Sequence, residues 1–194
     1  MNSSSNHNLT ETDLIQGCIS GDRRMQEMLY NKFSSKMYAV CLRYAGNGDD
    51  AQDILQDGFV KIYKNLSRFR SEGSFEGWVR RIFVNTAIEH LRRKKYLKPI
   101  DEKEENTIPY KSTTVLDSLG EKDIMGLISQ LSPGYRTVFN MYVVEGYTHK
   151  EVGDILGISE GTSKSQLARA RMILQDMVVK YLGEKDRKKE KNEQ

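Results

Sequence analysis

Apolar side chains along this chain recur at spacings of three and four, and no convincing run alternates with a period of two. Ala51, Ile54, Gly58, Ile62 and Leu66 make one stripe, and Phe75, Trp78, Val79 and Ile82 make another. Val152, Ile155 and Leu156 form a third, followed by Leu167, Ala170 and Leu174. The spacing predicts helices near 11–19, 22–45, 49–66, 75–96, 121–130, 134–145, 148–156 and 160–182. The expected fold class is therefore all-α. Between Leu97 and Gly120 the pattern collapses into LKPIDEKEENTIPYKSTTVLDSLG, with two prolines and a cluster of acids. That composition buries too little to fold alone and predicts a flexible linker between two small helical domains, 9–96 and 121–183. A disordered lead (1–8) and a charged tail (184–194) flank them. At roughly 3.3 Å per residue the extended linker reaches on the order of 80 Å, which suits a chain that grips two separated points on something large.

The stretch EVGDILGISEGTSKSQLARAR, from Glu151 to Arg171, carries the most specific signal. Gly157 can take the left-handed conformation that ends one helix, and Ser159 can cap the next. Two helices joined by so short a turn cross steeply, which is helix-turn-helix geometry. The second helix then shows Thr162, Lys164, Ser165, Gln166 and Arg169 away from its apolar stripe. Donors and cations of that kind reach phosphates and base edges in the major groove. A helical hairpin with a solvated polar face would fit the same letters, but would not need them in this combination.

Composition narrows the alternatives. Of 194 residues, 38% are hydrophobic, which suits small helical units better than one large core. No run approaches the roughly 20 apolar residues of a membrane span, and the N-terminal residues show no secretory signal, so a cytoplasmic protein without membrane insertion is expected. Cys18 and Cys41 lie far apart in apolar-periodic surroundings and read as reduced core residues. His7, His90 and His149 share no metal-ligand spacing with them. No phosphate-binding glycine loop, nucleophile elbow or HExxH sequence occurs. Neither catalysis, metal nor cofactor is expected. The net charge of +3 is uneven: +4 over residues 1–96, −2 over 97–120, zero over 121–183 and +1 over the tail.

Two further patterns lie in the first domain. In DDAQDILQDGFVKIYKNL, Asp50, Asp53 and Asp57 with Gln56 form an acidic surface beside the buried stripe. Acids at a helix start also complement its dipole, yet three acids and a Gln exceed what capping requires, and a protein-docking surface is expected. In FRSEGSFEGWVRRIFVNTAIEHLRRKK, the core stripe takes Trp78, while Arg81, Asn85, Glu89 and Arg92 recur on a different face. The short polar loop Arg70-Ser71-Glu72-Gly73-Ser74 precedes this basic helix and could hold an unstacked base.

In this order and separation, DAQDILQDGF, FRSEGSFEGWVRRIFVNTAIEHLRR, LSPGYRTVF and GISEGTSKSQLARAR resemble the bacterial sigma factors of the extracytoplasmic-function group, within the sigma-70 family. The resemblance covers about 9–183. It implies an N-terminal region 2 and a C-terminal helix-turn-helix region 4, acting with core RNA polymerase to recognise promoters and initiate DNA-templated transcription. By position it puts Asp50, Asp53, Gln56 and Asp57 against the clamp helices of the polymerase β′ subunit. Phe69, Arg70, Ser71, Glu72 and Ser74, with Arg81, Asn85 and Arg92, fall at the −10 element. Thr162, Lys164, Ser165, Gln166, Arg169 and Arg171 fall at the −35 element. Partners implied are core polymerase (β′ clamp helices and β flap) and promoter DNA, and an anti-sigma factor stays open. The chain departs from the pattern in several places, among them Ala168, where a bulky residue is absent, and the lack of paired exposed aromatics. Ser163 stands where many members carry Val, facing the core, and its hydroxyl is expected to bond the carbonyl one turn back. Tyr142-Val143-Val144 replaces a charged pair before the helix-turn-helix. A stand-alone helix-turn-helix regulator would need a dimerisation element, and no heptad repeat is visible. A pure protein adaptor would not need the cations.

Overall fold

The computed structural model describes residues 9–94 and 120–192, with the side chains of 121, 122 and 184–192 left undescribed. The lead, the linker up to residue 119 and residues 193–194 lie outside the described residues. Among the described residues every regular element is a helix: α1 (Glu11–Ile19), α2 (Arg23–Ala45), α3 (Gly48–Asn65), α4 (Phe75–Arg93), α5 (Glu121–Ser129), α6 (Pro133–Phe139), α7 (His149–Leu156) and α8 (Glu160–Asn192). A 3₁₀ turn (Leu66–Arg68) follows α3 and a π-helical turn (Asn140–Val144) follows α6. None of these helices is long and apolar enough to cross a membrane.

The chain divides into two compact units: 1–42 with 49–87, and 43–48 with 88–194. In the first, α1 starts on a capping box, with Thr10 Oγ1 accepting from the Asp13 amide at 3.1 Å and the Asp13 carboxylate accepting from the Thr10 amide at 3.0 Å. Such reciprocal caps satisfy two of the orphan amides at a helix start. The core is aromatic-rich. Phe59 and Phe83 meet edge to face at 5.3 Å, and Phe33 meets Phe75 the same way at 5.6 Å. All of the expected α3 stripe is buried, and Leu66 continues it in the 3₁₀ turn. Gly58 explains how α3 and α4 come so close. A Cβ there would lie 2.2 Å from Phe83 Cε1. The Tyr63 hydroxyl donates to the Gln26 carbonyl at 2.9 Å, and its pKa is pushed up to about 12, first by burial.

The second unit is organised by α8, against which α5, α6 and α7 pack. Arg136, buried in α6, donates to four carbonyls: Ser129 at 2.7 Å, Ala45 at 2.9 Å, and Leu131 and Tyr44 each at 3.1 Å. Burial lowers its pKa from the ordinary value. Gly46, at φ +79°, accommodates it, since a Cβ there would sit 2.5 Å from Nη1. This explains why 43–48 belong to this unit. The expected helix 134–145 is α-helical only to Phe139. Beyond it, the Glu145 amide bonds the Asn140 carbonyl at 2.9 Å, five residues back. The bracketing side chains both engage Arg43: Asn140 Nδ2 donates to its carbonyl at 2.9 Å and Glu145 accepts from its Nη2 at 3.3 Å. α8 also runs ten residues past its expected end, through a stretch of good helix formers that lacks proline.

The Gly58→Ala variant should lose about 1–3 kcal/mol of stability, the usual cost of overpacking. Urea unfolding of the full chain checks this; an unchanged midpoint would mean that Phe83 moves aside freely.

Candidate nucleic-acid interface

The helix-turn-helix is built as its sequence predicts. Thr148 caps α7 in a second capping box, accepting from the Glu151 amide at 3.2 Å while Glu151 Oε2 accepts from the Thr148 amide at 2.8 Å. Gly157 ends α7 at φ +71°, and the Gly157 and Ile158 amides both bond the Gly153 carbonyl, at 2.8 and 3.1 Å. Ser159 then starts α8, its Oγ accepting from the Thr162 amide at 2.9 Å. The join works because position 153 is glycine: a Cβ there would lie 2.8 Å from the Ile158 carbonyl oxygen.

Along α8, Lys164, Ser165 and Arg171 are exposed, and Thr162 and Arg169 are half-buried. Lys164 pairs with Glu160 at 2.7 Å, both ends solvated. Ser165 Oγ donates to the Thr162 carbonyl at 3.0 Å. Gln166 departs from the expectation of an outward-facing donor. It is only 9% exposed, because with Ser163, Leu167 and Ala170 it falls at i, i+3, i+4 and i+7 on the stripe that faces the core.

Ser163 is fully buried, as expected, but its hydroxyl partner is His149 Nδ1 at 2.9 Å, not the carbonyl one turn back. The imidazole also stacks on Tyr142, ring centres 4.2 Å apart. Burial, then the Lys164 charge, lowers the His149 pKa, with Arg171 adding to the effect and Glu160 opposing it. Sequence reasoning missed His149 as part of this site. Its one signal was a ring-bearing residue opening α7, placed to meet a buried hydroxyl on α8.

In the first unit, Arg81 and Asn85 are exposed on α4, as is Glu89 in the second-unit part of the same helix. Arg92 also falls in the second unit, where its guanidinium donates to the Ile155 carbonyl. The loop between the 3₁₀ turn and α4 has a firm base. Phe69 is half-buried, its ring packed on Phe75 and Trp78 at 5.1 and 5.5 Å, so this residue also anchors the loop to the core. Ser74 Oγ accepts from the Gly77 amide at 3.1 Å and closes the far end. Arg70, Ser71 and Glu72 are exposed between these anchors, as is Ser74 itself, and Ser71 sits at φ +57°, a conformation rare outside glycine.

On α3, Asp53 and Gln56 are exposed and Asp57 half-buried, sharing one face at i, i+3, i+4. Asp50 is not on that surface. It is 4% exposed, since it precedes Ile54 by one helical turn and sits on the edge of the apolar stripe.

Residues 29–96 match the family model for sigma-70 region 2, and residues 121–174 match that for sigma-70, region 4. The chain is 30% identical over 166 residues to the ECF RNA polymerase sigma factor SigW of Bacillus subtilis, covering 79% of this chain and 89% of that protein. It is 27% identical over 161 residues to the ECF RNA polymerase sigma factor SigE of Mycolicibacterium smegmatis, covering 80% of this chain but 62% of that relative. Among solved structures, the sigma factor RpoE of Bartonella quintana, crystallised in complex with the anti-sigma factor NepR, aligns with a TM-score of 0.49 at 20% identity, over 79% of this chain and 96% of that one.

The Gly153→Ala variant should cost about 1–3 kcal/mol, because the clashing atom is backbone and cannot rotate away. Gly157→Ala, strained only in φ, should cost less, about 1 kcal/mol. Thermal unfolding of both variants checks the order, and a reversed order would place the close approach elsewhere.

Proposed function

Because the chain belongs to the extracytoplasmic-function sigma factors of the sigma-70 family, RNA polymerase sigma factors that act in transcription initiation, we propose that it divides promoter reading between two domains. Residues 9–96 dock on core polymerase and hold the −10 element, 121–183 bind the −35 element, and 97–120 tether them. The protein performs no reaction of its own. The observation that carries this reading is the exposed, cation-bearing face of α8, presented by a turn built for a fixed crossing. Lys164 and Arg171 lie seven residues apart and so share one side of the helix, with Ser165 beside them. Glu160 holds Lys164 only at the surface, where a phosphate can replace it.

At the other site the requirement is different. A base in a duplex hides its Watson–Crick edge, so reading that edge means extruding it, at a cost of a few kcal/mol. The Arg70–Ser74 loop, pinned by Phe69 and Ser74 and exposed between them, offers hydrogen-bonding groups to such a base. Arg81 and Asn85 lie on the helix that follows. On α3, Asp53, Gln56 and Asp57 offer an acidic face to the polymerase, and the buried Asp50 is left out of it. An anti-sigma factor fits the same reading as a competitor for these surfaces.

Reversing charge with Asp53→Lys and Asp57→Lys should weaken capture of core polymerase at least tenfold, on the scale of lost interfacial charge contacts, with helicity by circular dichroism unchanged. Normal affinity would remove α3 as the docking face.

Lys164→Ala and Arg171→Ala should each weaken upstream-element binding and, where the side chain meets a phosphate, flatten the salt dependence by about one unit of slope. Footprints across a salt titration measure both. Wild-type footprints from the double variant would mean that α8 is not the reading helix.

A further inference from the structure

The hydrogen bond between Ser163 and His149 joins two helices through a residue that packing alone would not choose. Ser163 is fully buried, followed in sequence by Lys164 and Ser165. An apolar residue such as alanine or valine would leave no polar group to satisfy, whereas a buried hydroxyl is tolerated only with a partner. His149 supplies that partner from the first residue of α7. The same ring stacks on Tyr142 in the π-helical turn. One imidazole therefore ties together the π turn, the start of α7 and the start of α8.

We propose that His149 and Ser163 are positioning residues for upstream promoter recognition: their Nδ1···Oγ hydrogen bond fixes the rotation of α8 against α7, and so decides which base edges Lys164 and Ser165 reach. The inference rests on the reading of α8 as the DNA-contacting helix. Apolar contacts slide at little cost, but a hydrogen bond weakens steeply once its geometry is lost. On a helix whose side-chain tips lie roughly 5–6 Å from the axis, a rotation of about 10° moves them about 1 Å. That is enough to break a base contact while leaving a phosphate contact standing. Burial, then the Lys164 charge, lowers the His149 pKa and so favours the neutral ring, with Arg171 adding to the effect and Glu160 opposing it. With the ring proton on Nε2, Nδ1 accepts the Ser163 hydroxyl, and with it on Nδ1 the ring donates to Oγ.

The experiment is run-off transcription by the full chain with core polymerase, on a promoter library randomised at the upstream element, alongside thermal unfolding of each variant. Ser163→Val should unfold no earlier than wild type, yet broaden base preference at one or more upstream positions by about fivefold, the equivalent of one base-edge contact. Preference at the −10 element should not move. His149→Leu should broaden the same positions, and combining the two should add nothing further. His149→Asn, whose amide oxygen can stand where Nδ1 stood, should retain much of the wild-type profile. If Ser163→Val fails to fold, Ser163→Ala takes its place. A wild-type upstream profile from the Ser163 variant overturns the proposal. Lys164→Ala and Arg171→Ala in the same library separate the two failures. If they shift upstream preference while Ser163→Val does not, only the positioning role falls; if neither shifts it, the assignment of α8 falls with it.

Discussion

The Ile158 carbonyl lies where the first side-chain atom of any residue but glycine at 153 would have to be. That carbonyl leads into Ser159, which caps α8, while the Gly153 carbonyl takes the two amides that finish α7. The end of one helix and the start of the next therefore share a single knot of backbone. A side chain at 153 would push the turn outward and change the crossing of α7 on α8. Every group that α8 shows to solvent takes its direction from that crossing. Gly157, at φ +71°, is the second condition, because the chain must reverse hand before it can begin α8. The direction of that exposed face is thus set by two glycines, 153 and 157, through backbone geometry alone.

The first unit reaches a comparable end by other means. Its loop has no short turn to discipline it, so the two ends are anchored instead, by the Phe69 ring on Phe75 and Trp78 and by the Ser74 hydroxyl on the α4 start. Between them the backbone adopts a left-handed residue at Ser71 and leaves the side chains of Arg70, Ser71 and Glu72 in water. Rigid margins with an open middle suit a loop that must receive a group without itself being part of a core. Aromatic packing thus serves as the footing of the loop.

Legibility in the sequence followed the range of the interactions. Helix bounds came through where local signals set them: Gly157 gave α7 its end and Ser159 gave α8 its start. Asp50 and Gln166 were misjudged because they stand at the edge of an apolar stripe, where residue type suggests solvent and helical phase decides for burial. Phase is sharp at the centre of a stripe and ambiguous at its margin. The π turn was invisible because its cause is tertiary: Asn140 and Glu145 both reach Arg43, nearly a hundred residues earlier. The Ser163 hydroxyl shows the same limit in miniature. Sequence reasoning correctly required a partner, then chose the nearest one, the carbonyl a turn back. The imidazole fourteen residues away won because the α7–α8 crossing brings it within 2.9 Å.

This division bears on how a factor with such modest surfaces achieves selectivity. Over 160–171 of α8 two cations are exposed, Lys164 and Arg171, and Lys164 already has a solvated partner in Glu160, so their attraction for an anion is screened by salt. Linking two weak contacts raises the effective concentration of the second once the first has formed. That gain is the same for any DNA of suitable spacing and cannot select a sequence. On the proposed reading of α8, selection comes from the angle at which a few side chains meet base edges, where errors of about 1 Å break hydrogen bonds. A small helical domain with a limited core holds such an angle best through backbone contact and directional hydrogen bonds. Gly153 at the turn and the buried pair of His149 and Ser163 supply one of each.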